Sequence, residues 1–197
     1  MTRVCISNLH TQTKITIESP RLLLRPGFPD DSFVLCDIFS EPETAWWADM
    51  PSFTDWCDVL DFIKWGNSTF DLDQYMITDK ESDQLLGLIQ AIGPHLSGEK
   101  GDIIEIGYFL SEKERGNGYM TEAVCALRDE LFAYPCVNGL VLKILPDNDA
   151  SKGVAIRSGF HYIEQAQENR AHRHLDNMPL DRYVLMREDY ESLQLAA

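Results

Sequence analysis

Gly116 and Gly118 stand one residue apart in the stretch Glu112-Lys113-Glu114-Arg115-Gly116-Asn117-Gly118-Tyr119-Met120-Thr121-Glu122-Ala123. An apolar run, Ile103 to Leu110, precedes it and an amphipathic segment follows. Where a strand hands over to a helix in this way, the first helical amides have no intrahelical partner and carry the positive end of the helix dipole. Glycine lets such a backbone approach a ligand closely and take dihedral angles closed to other residues. Anion binding is the chemistry that needs both, and a pyrophosphate suits it. The same pair in many other loops serves only to turn the chain.

Two more specific phosphate motifs fail. A dinucleotide fingerprint requires a third glycine where Thr121 stands, and no acidic residue ends a following strand at the expected distance. Gly93-Pro94-His95-Leu96-Ser97-Gly98-Glu99-Lys100 comes near a P-loop, but Glu99 holds the lysine position and a strand pattern follows. Nucleotide hydrolysis is unsupported. His172-Arg173-His174 has no acidic or cysteine partner at ligand spacing, so it reads as a solvated loop rather than a metal site.

The elements that must position the glycine pair follow from periodicity. Ile15 to Arg25 reads as a strand interrupted at Ser19-Pro20, and Pro29 to Phe39 as a helix. Thr54 to Trp65 is a second helix, stopped by Gly66-Asn67. Gln74 to Thr78, Leu85 to Ile92 and Asp102 to Leu110 are three strands, the first two joined by a hairpin turn at Asp79 to Asp83. Met120, Val124, Leu127, Leu131 and Tyr134 share one face of a helix running to Pro135. Leu140 to Leu145 is a strand, Asn148 or Asp149 caps the next helix, and Gly159 stops it before strand pattern resumes at Phe160. Tyr183 to Met186 is a last strand, and residues 1–14 read as an N-terminal arm. The order predicts one α+β domain over 1–197, without repeats.

Composition narrows the partners. The chain of 197 residues carries 17 basic and 32 acidic side chains, a net charge of −15, which disfavours nucleic acid and anionic membranes and leans towards cationic partners. Five dispersed cysteines without a C-x-x-C pair suggest neither a disulfide framework nor a zinc site and fit a reducing cytoplasm. No apolar run approaches the length of a membrane span, and the start of the chain lacks the apolar core of a signal peptide.

Taken together, four separated motifs resemble one family. Arg115-Gly116-Asn117-Gly118-Tyr119-Met120 is similar to the Q/R-x-x-G-x-G/A acyl-CoA loop of the GNAT N-acetyltransferase superfamily, and Glu105-Ile106-Gly107-Tyr108-Phe109-Leu110 to the strand that feeds it. Asn148-Asp149-Ala150-Ser151, with Arg157-Ser158-Gly159-Phe160, resembles the N-x-x-S and terminal G-F signature of the Rim-type branch, which acetylates ribosomal-protein N-termini. Pro20 to Pro26 resembles that branch's opening strand. The likeness spans residues 15 to about 190, in the family's order.

The resemblance implies a GNAT fold: a mixed, mostly antiparallel sheet of about seven strands, splayed after the fourth, with about four flanking helices. It implies acetyl-CoA as cosubstrate, no metal, and an arm of the cofactor lying in the splay against Tyr108, Phe109 and Leu110. Arg115, Gly116, Asn117, Gly118, Tyr119, Met120 and Thr121 would hold the pyrophosphate through main-chain N–H groups, the Arg115 side chain adding a charged contact. Met120 departs from the small residue usual at its place. Asn148 and Ser151 would flank the thiol arm. Attack of a neutral amine on a thioester benefits from a base, and Glu105, inside an apolar run where desolvation favours the neutral acid, is the candidate. Its competing reading is an ion-paired carboxylate without catalytic duty. A main-chain N–H near Phe109 or Leu110 suits the oxyanion. The tyrosine that many members place four residues before the terminal glycine is Ala155 here, and the Rim-type resemblance implies Ser151 as proton donor to the thiolate in its place; the other reading of Ser151 is a helix cap.

The expected function is acetyl-CoA-dependent N-acetyl transfer to a primary amine, either a protein N-terminus or a small molecule, by a monomer or homodimer in the cytoplasm. A catalytically silent acyl-CoA-binding module and a transferase of longer acyl groups are the alternatives. Trp46, Trp47 and Trp56 either line an acceptor pocket or belong to the core.

Overall fold

The computed structural model describes residues 15–48, 53, 55–68, 72–93, 101–167 and 178–196. The expected N-terminal arm, residues 54 and 94–100 of the segments discussed above, and the 172–174 loop lie outside them. In chain order the elements are β1 (Ile17–Glu18), β2 (Leu22–Arg25), α1 (Asp31–Phe39), α2 (Pro42–Ala48), α3 (Trp56–Ser68), β3 (Leu72–Asp79), β4 (Leu85–Ile92), β5 (Asp102–Leu110), α4 (Tyr119–Phe132), β6 (Val137–Ile144), α5 (Asp149–Arg157), β7 (His161–Gln167), β8 (Pro179–Met186) and α6 (Arg187–Ala196). A single 3-10 turn, Glu112–Glu114, links β5 to the glycine loop.

The strands form one mixed sheet of order β1-β2-β3-β4-β5-β6-β8-β7. β5 and β6 run parallel, as the α4 crossover between them requires, and the other pairs are antiparallel. Ile15 to Arg25 is not one interrupted strand. Ser19 exchanges hydrogen bonds with Leu22, the amide of Ser19 donating to the Leu22 carbonyl at 3.0 Å, so β1 folds back on β2 as a hairpin and the sheet has eight strands. Counting that hairpin as the first unit, the splay falls after the fourth, between β5 and β6.

Each face of the sheet has its own core. On one, Met120, Ala123, Val124, Leu127 and Leu131 of α4 and Val154 and Ala155 of α5 pack on Ile104, Ile106, Leu140 and Leu142. On the other, Leu35, Ile38 and Phe39 of α1 and Val59 and Ile63 of α3 pack on Met76 and Leu88. Strand alternation splits β5 between them: Tyr108 belongs with the α4–α5 side and Phe109 with the α1–α3 side.

Two helices go beyond the four expected. α2 is short, and α6 has a polar sequence whose order depends on distant residues. The Arg187 guanidinium donates to the carbonyls of Phe132, Tyr134 and Val137 at 2.7–3.1 Å, and the Tyr190 ring stacks on Phe132 with centroids 4.4 Å apart. The α4 helix ends at Phe132, two residues short of Tyr134.

Candidate active site

β5 pairs with β4 along its length to Leu110, but with β6 only from Asp102 to Glu105. From Ile106 onward the edge of β5 that faces β6 has no strand beside it among the described residues, so a wedge opens between two strands of a continuous sheet. At its open end the chain turns through the 3-10 turn into the glycine loop. Gly116 and Gly118 have φ of +79° and +78°, left-handed values that favour glycine, and Gly118 is the residue before α4. The Arg115 amide donates to the Glu112 carbonyl at 3.3 Å, and the first bond of the helix is from the Glu122 amide to Gly118. Among the described residues, the amides of Gly116, Asn117, Gly118, Tyr119, Met120 and Thr121 have no protein acceptor. Six consecutive unpaired N–H groups at a helix start fit a phosphate.

Side chains that sequence reasoning missed hold this loop in place. Glu41, at the junction of α1 and α2, accepts from the Ser111 hydroxyl at 2.6 Å, the Thr44 hydroxyl at 2.6 Å and the Glu112 amide at 2.9 Å. Burial acts to raise the Glu41 pKa, but those three donors and the Arg115 charge outweigh it and hold the carboxyl below the ordinary range. Thr44 in turn accepts from the Arg115 guanidinium at 2.6 Å, and Glu43 pairs with it at 3.1 Å. The Arg115 side chain, expected to face the anion, is thus drawn towards α2. The free amides begin at Gly116.

On the other flank, Glu122 in the first turn of α4 accepts from the Ser19 hydroxyl at 2.7 Å and from the Arg21 amide and guanidinium at 2.8 and 2.7 Å. Burial pushes this carboxyl up, while the Ser19 and Arg21 bonds bring its pKa below the usual value. Arg21 also donates to the Asn117 carbonyl at 3.1 Å and lies over the Tyr119 ring at 4.6 Å. No sequence signal marks these residues, because the partners are about a hundred positions apart and meet only when the β1–β2 hairpin packs on α4.

At the closed end of the wedge, Glu105 forms an ion pair with Lys143 at 2.7 Å, both side chains being largely buried. Of the two sequence readings of Glu105, a desolvated base and an ion-paired carboxylate, this contact supplies the ionic partner that the second names. Across the wedge, the half-buried Tyr108 donates its hydroxyl to the Ser151 carbonyl at 3.4 Å. Burial pushes the Tyr108 phenol up, the bond to Ser151 and the charge of Arg157 working the other way. Asn148, not Asp149, caps α5, its side chain accepting from the Ser151 amide at 3.0 Å. The Ser151 hydroxyl makes no hydrogen bond among the described residues, so it is not the cap. Met120 is buried in the core below the loop, and the Thr121 hydroxyl accepts from Arg157 of α5 at 3.2 Å.

The tryptophans separate. Trp47 packs on Leu145 and Leu180 beyond the end of the wedge, Trp46 is exposed, and Trp56 is exposed and stacked on Phe33 with centroids 5.1 Å apart. Among the described residues, no cluster of three or more His, Cys, Asp or Glu is placed to hold a metal, and no helix is long and apolar enough to cross a membrane.

Residues 21–161 match the model of the acetyltransferase (GNAT) domain family. The chain belongs to the GNAT acetyltransferase family. This GNAT chain is 30% identical over 139 residues to a protein described as uncharacterized N-acetyltransferase p20 of Bacillus licheniformis, covering 69% of this chain and 76% of that one. Its fold is similar to that of a GNAT-family acetyltransferase from Bacillus anthracis, with a TM-score of 0.75 and 18% identity over 88% of this chain and 99% of that one. It is also similar to RimL, the ribosomal L7/L12 α-N-protein acetyltransferase, solved in complex with coenzyme A, with a TM-score of 0.71 and 19% identity over 87% and 98% of the two chains. Membership makes this GNAT protein an acetyltransferase.

Proposed function

We propose that the chain transfers the acetyl group of acetyl-CoA to a primary amine by direct attack on the thioester, and that it is of Rim-like type, with a protein N-terminus or a small-molecule amine as acceptor. The observation that carries this reading is the parting of β5 and β6 after Glu105 beside six unpaired amides at the start of α4. An extended thiol arm fits the vacant edge of Tyr108, Phe109 and Leu110, as a further strand would, and the amides of Gly116 to Thr121 fit the diphosphate.

In the proposed mechanism the acceptor amine enters beside Glu105, which takes a proton from it as the nitrogen bonds to the acetyl carbon. A main-chain N–H near Phe109 or Leu110 meets the oxygen that becomes negative. The carbon–sulfur bond then breaks, and Ser151, on the first turn of α5 next to the carbonyl that Tyr108 contacts, passes a proton to the departing thiolate while taking one from solvent, to which Glu105 returns the proton it took. Asn148 acts by fixing that turn. The Rim-like assignment rests on the Asn148 to Ser151 and Gly159-Phe160 signature and on the similarity in fold to RimL.

The test is a screen of amine acceptors, N-terminal peptides and small amines alike, with acetyl-CoA and detection of the free thiol. At least one acceptor should release thiol with the wild-type protein, and Glu105→Gln should lose turnover by about 100-fold or more while keeping its affinity for coenzyme A. Turnover unchanged in that variant removes Glu105 from the mechanism. Failure of the wild-type protein to bind coenzyme A overturns the reading as a whole.

A further inference from the structure

In a chain of net charge −15, a polyanionic ligand needs local positive charge as well as free amides. The arginine of the glycine loop is committed elsewhere, Arg115 being engaged by Thr44 and Glu43. Arg21 is held by Glu122. Arg157, in the last turn of α5, differs: it is exposed and has no carboxylate partner among the described residues. Its Nε donates to the Thr121 hydroxyl, in the last residue of the run of unpaired amides. Its charge also reaches the Tyr108 phenol on the strand that borders the wedge. The guanidinium therefore stands between α4 and α5, against the start of α4.

A second feature of α5 fits this placement. Gly153 lies within the helix, where glycine costs about 1 kcal/mol relative to alanine. A Cβ at Gly153 would stand 2.8 Å from Nη1 of Arg157, so the missing methyl leaves room for the guanidinium to lie back along its own helix. The competing role for Arg157 is to complement the dipole at the end of α5, which would affect stability alone.

We propose that Arg157 binds a phosphate group of coenzyme A, supplying the charge-assisted contact that the loop arginine, turned towards α2, leaves unfilled. The inference rests on the cofactor reading above. Its chemistry is a planar, permanently charged fork donating to phosphate oxygens next to amides that bind the same ligand.

Calorimetry and steady-state kinetics test it with wild-type protein, Arg157→Gln and Arg157→Lys, each with coenzyme A and with dephospho-coenzyme A. In Arg157→Gln the Kd for coenzyme A and the KM for acetyl-CoA should rise about tenfold or more, with kcat at saturating acetyl-CoA and the melting temperature nearly unchanged. Arg157→Lys, keeping the charge without the fork, should fall between. If the loss persists with dephospho-coenzyme A the contact is to the diphosphate, and if it disappears the contact is to the 3′-phosphate; both support the proposal. Coenzyme A affinity within twofold of wild type in Arg157→Gln overturns it, as does a fall in kcat or melting temperature without a change in KM. Those results leave the cofactor reading standing, whereas a wild-type protein that binds neither ligand removes both.

Discussion

The Lys143 ammonium reaches the Glu105 carboxylate from the part of β6 beyond its last pairing with β5, so this ion pair bridges the two strands where they begin to part. It couples the proposed base to the geometry of the wedge. Main-chain pairing stops at Glu105 and Val141, and the side-chain pair takes over as the link between strands.

Removing one member of a buried pair takes from the other charge its ionic partner, which is costly in a low-dielectric site. Lys143→Met should lower stability by about 3 kcal/mol in urea denaturation and depress turnover as well, because Glu105 loses the group that orients it. A variant as stable and active as wild type would show that the pair is incidental.

Glu41 and Glu122 both have pKa values held below the ordinary 4.5 in the folded protein. A depressed carboxylate pKa contributes stability above its unfolded value, and that contribution is lost as the pH falls through the folded value. The wild-type protein should therefore lose melting temperature steeply below about pH 4.5. Glu122→Gln, less stable at neutral pH, should show a shallower acid decline. Parallel pH profiles would remove Glu122 as a source of the acid sensitivity.

Asn148 and Ser151 separate capping from chemistry. Asn148→Ala deletes the cap of α5 and should cost about 1 kcal/mol in stability. Ser151→Ala deletes a hydroxyl that has no hydrogen-bond partner among the described residues and should leave the melting curve in place while turnover falls. A Ser151→Ala protein with full turnover assigns the thiolate proton to another donor, such as water.

Left-handed backbone at Gly118 excludes a β-branched side chain. Gly118→Val should cost roughly 1–2 kcal/mol from backbone strain and weaken coenzyme A binding, since the amides that follow would be displaced. Gly27→Ala, whose methyl would meet Ile63 and Met76 in the α1–α3 core, should alter stability but leave coenzyme A affinity unchanged. Equal affinity in wild type and Gly118→Val would show that loop geometry does not govern binding.

The sequence by itself determined the order of the main elements, the helical face of α4, the left-handed stop at Gly159 and the position of the glycine loop. These depend on local periodicity and on backbone conformations that few residues tolerate, and both are written in consecutive positions. An apolar run also marked Glu105, and the resemblance to the GNAT family marked Asn148 and Ser151. Only the tertiary structure decided their surroundings: that Lys143 pairs with Glu105, that Asn148 rather than Ser151 caps α5, and that Arg115 turns to α2 while Arg157 lies by Thr121. The packing of the β1–β2 hairpin on α4 and the existence of α6 were likewise settled by contacts across the chain, Ser19 and Arg21 with Glu122 and Arg187 with the end of α4. The physical reason is that a side chain's hydrogen-bond partner is set by which elements the hydrophobic cores bring together, and two residues a hundred positions apart carry no local sign that they will meet.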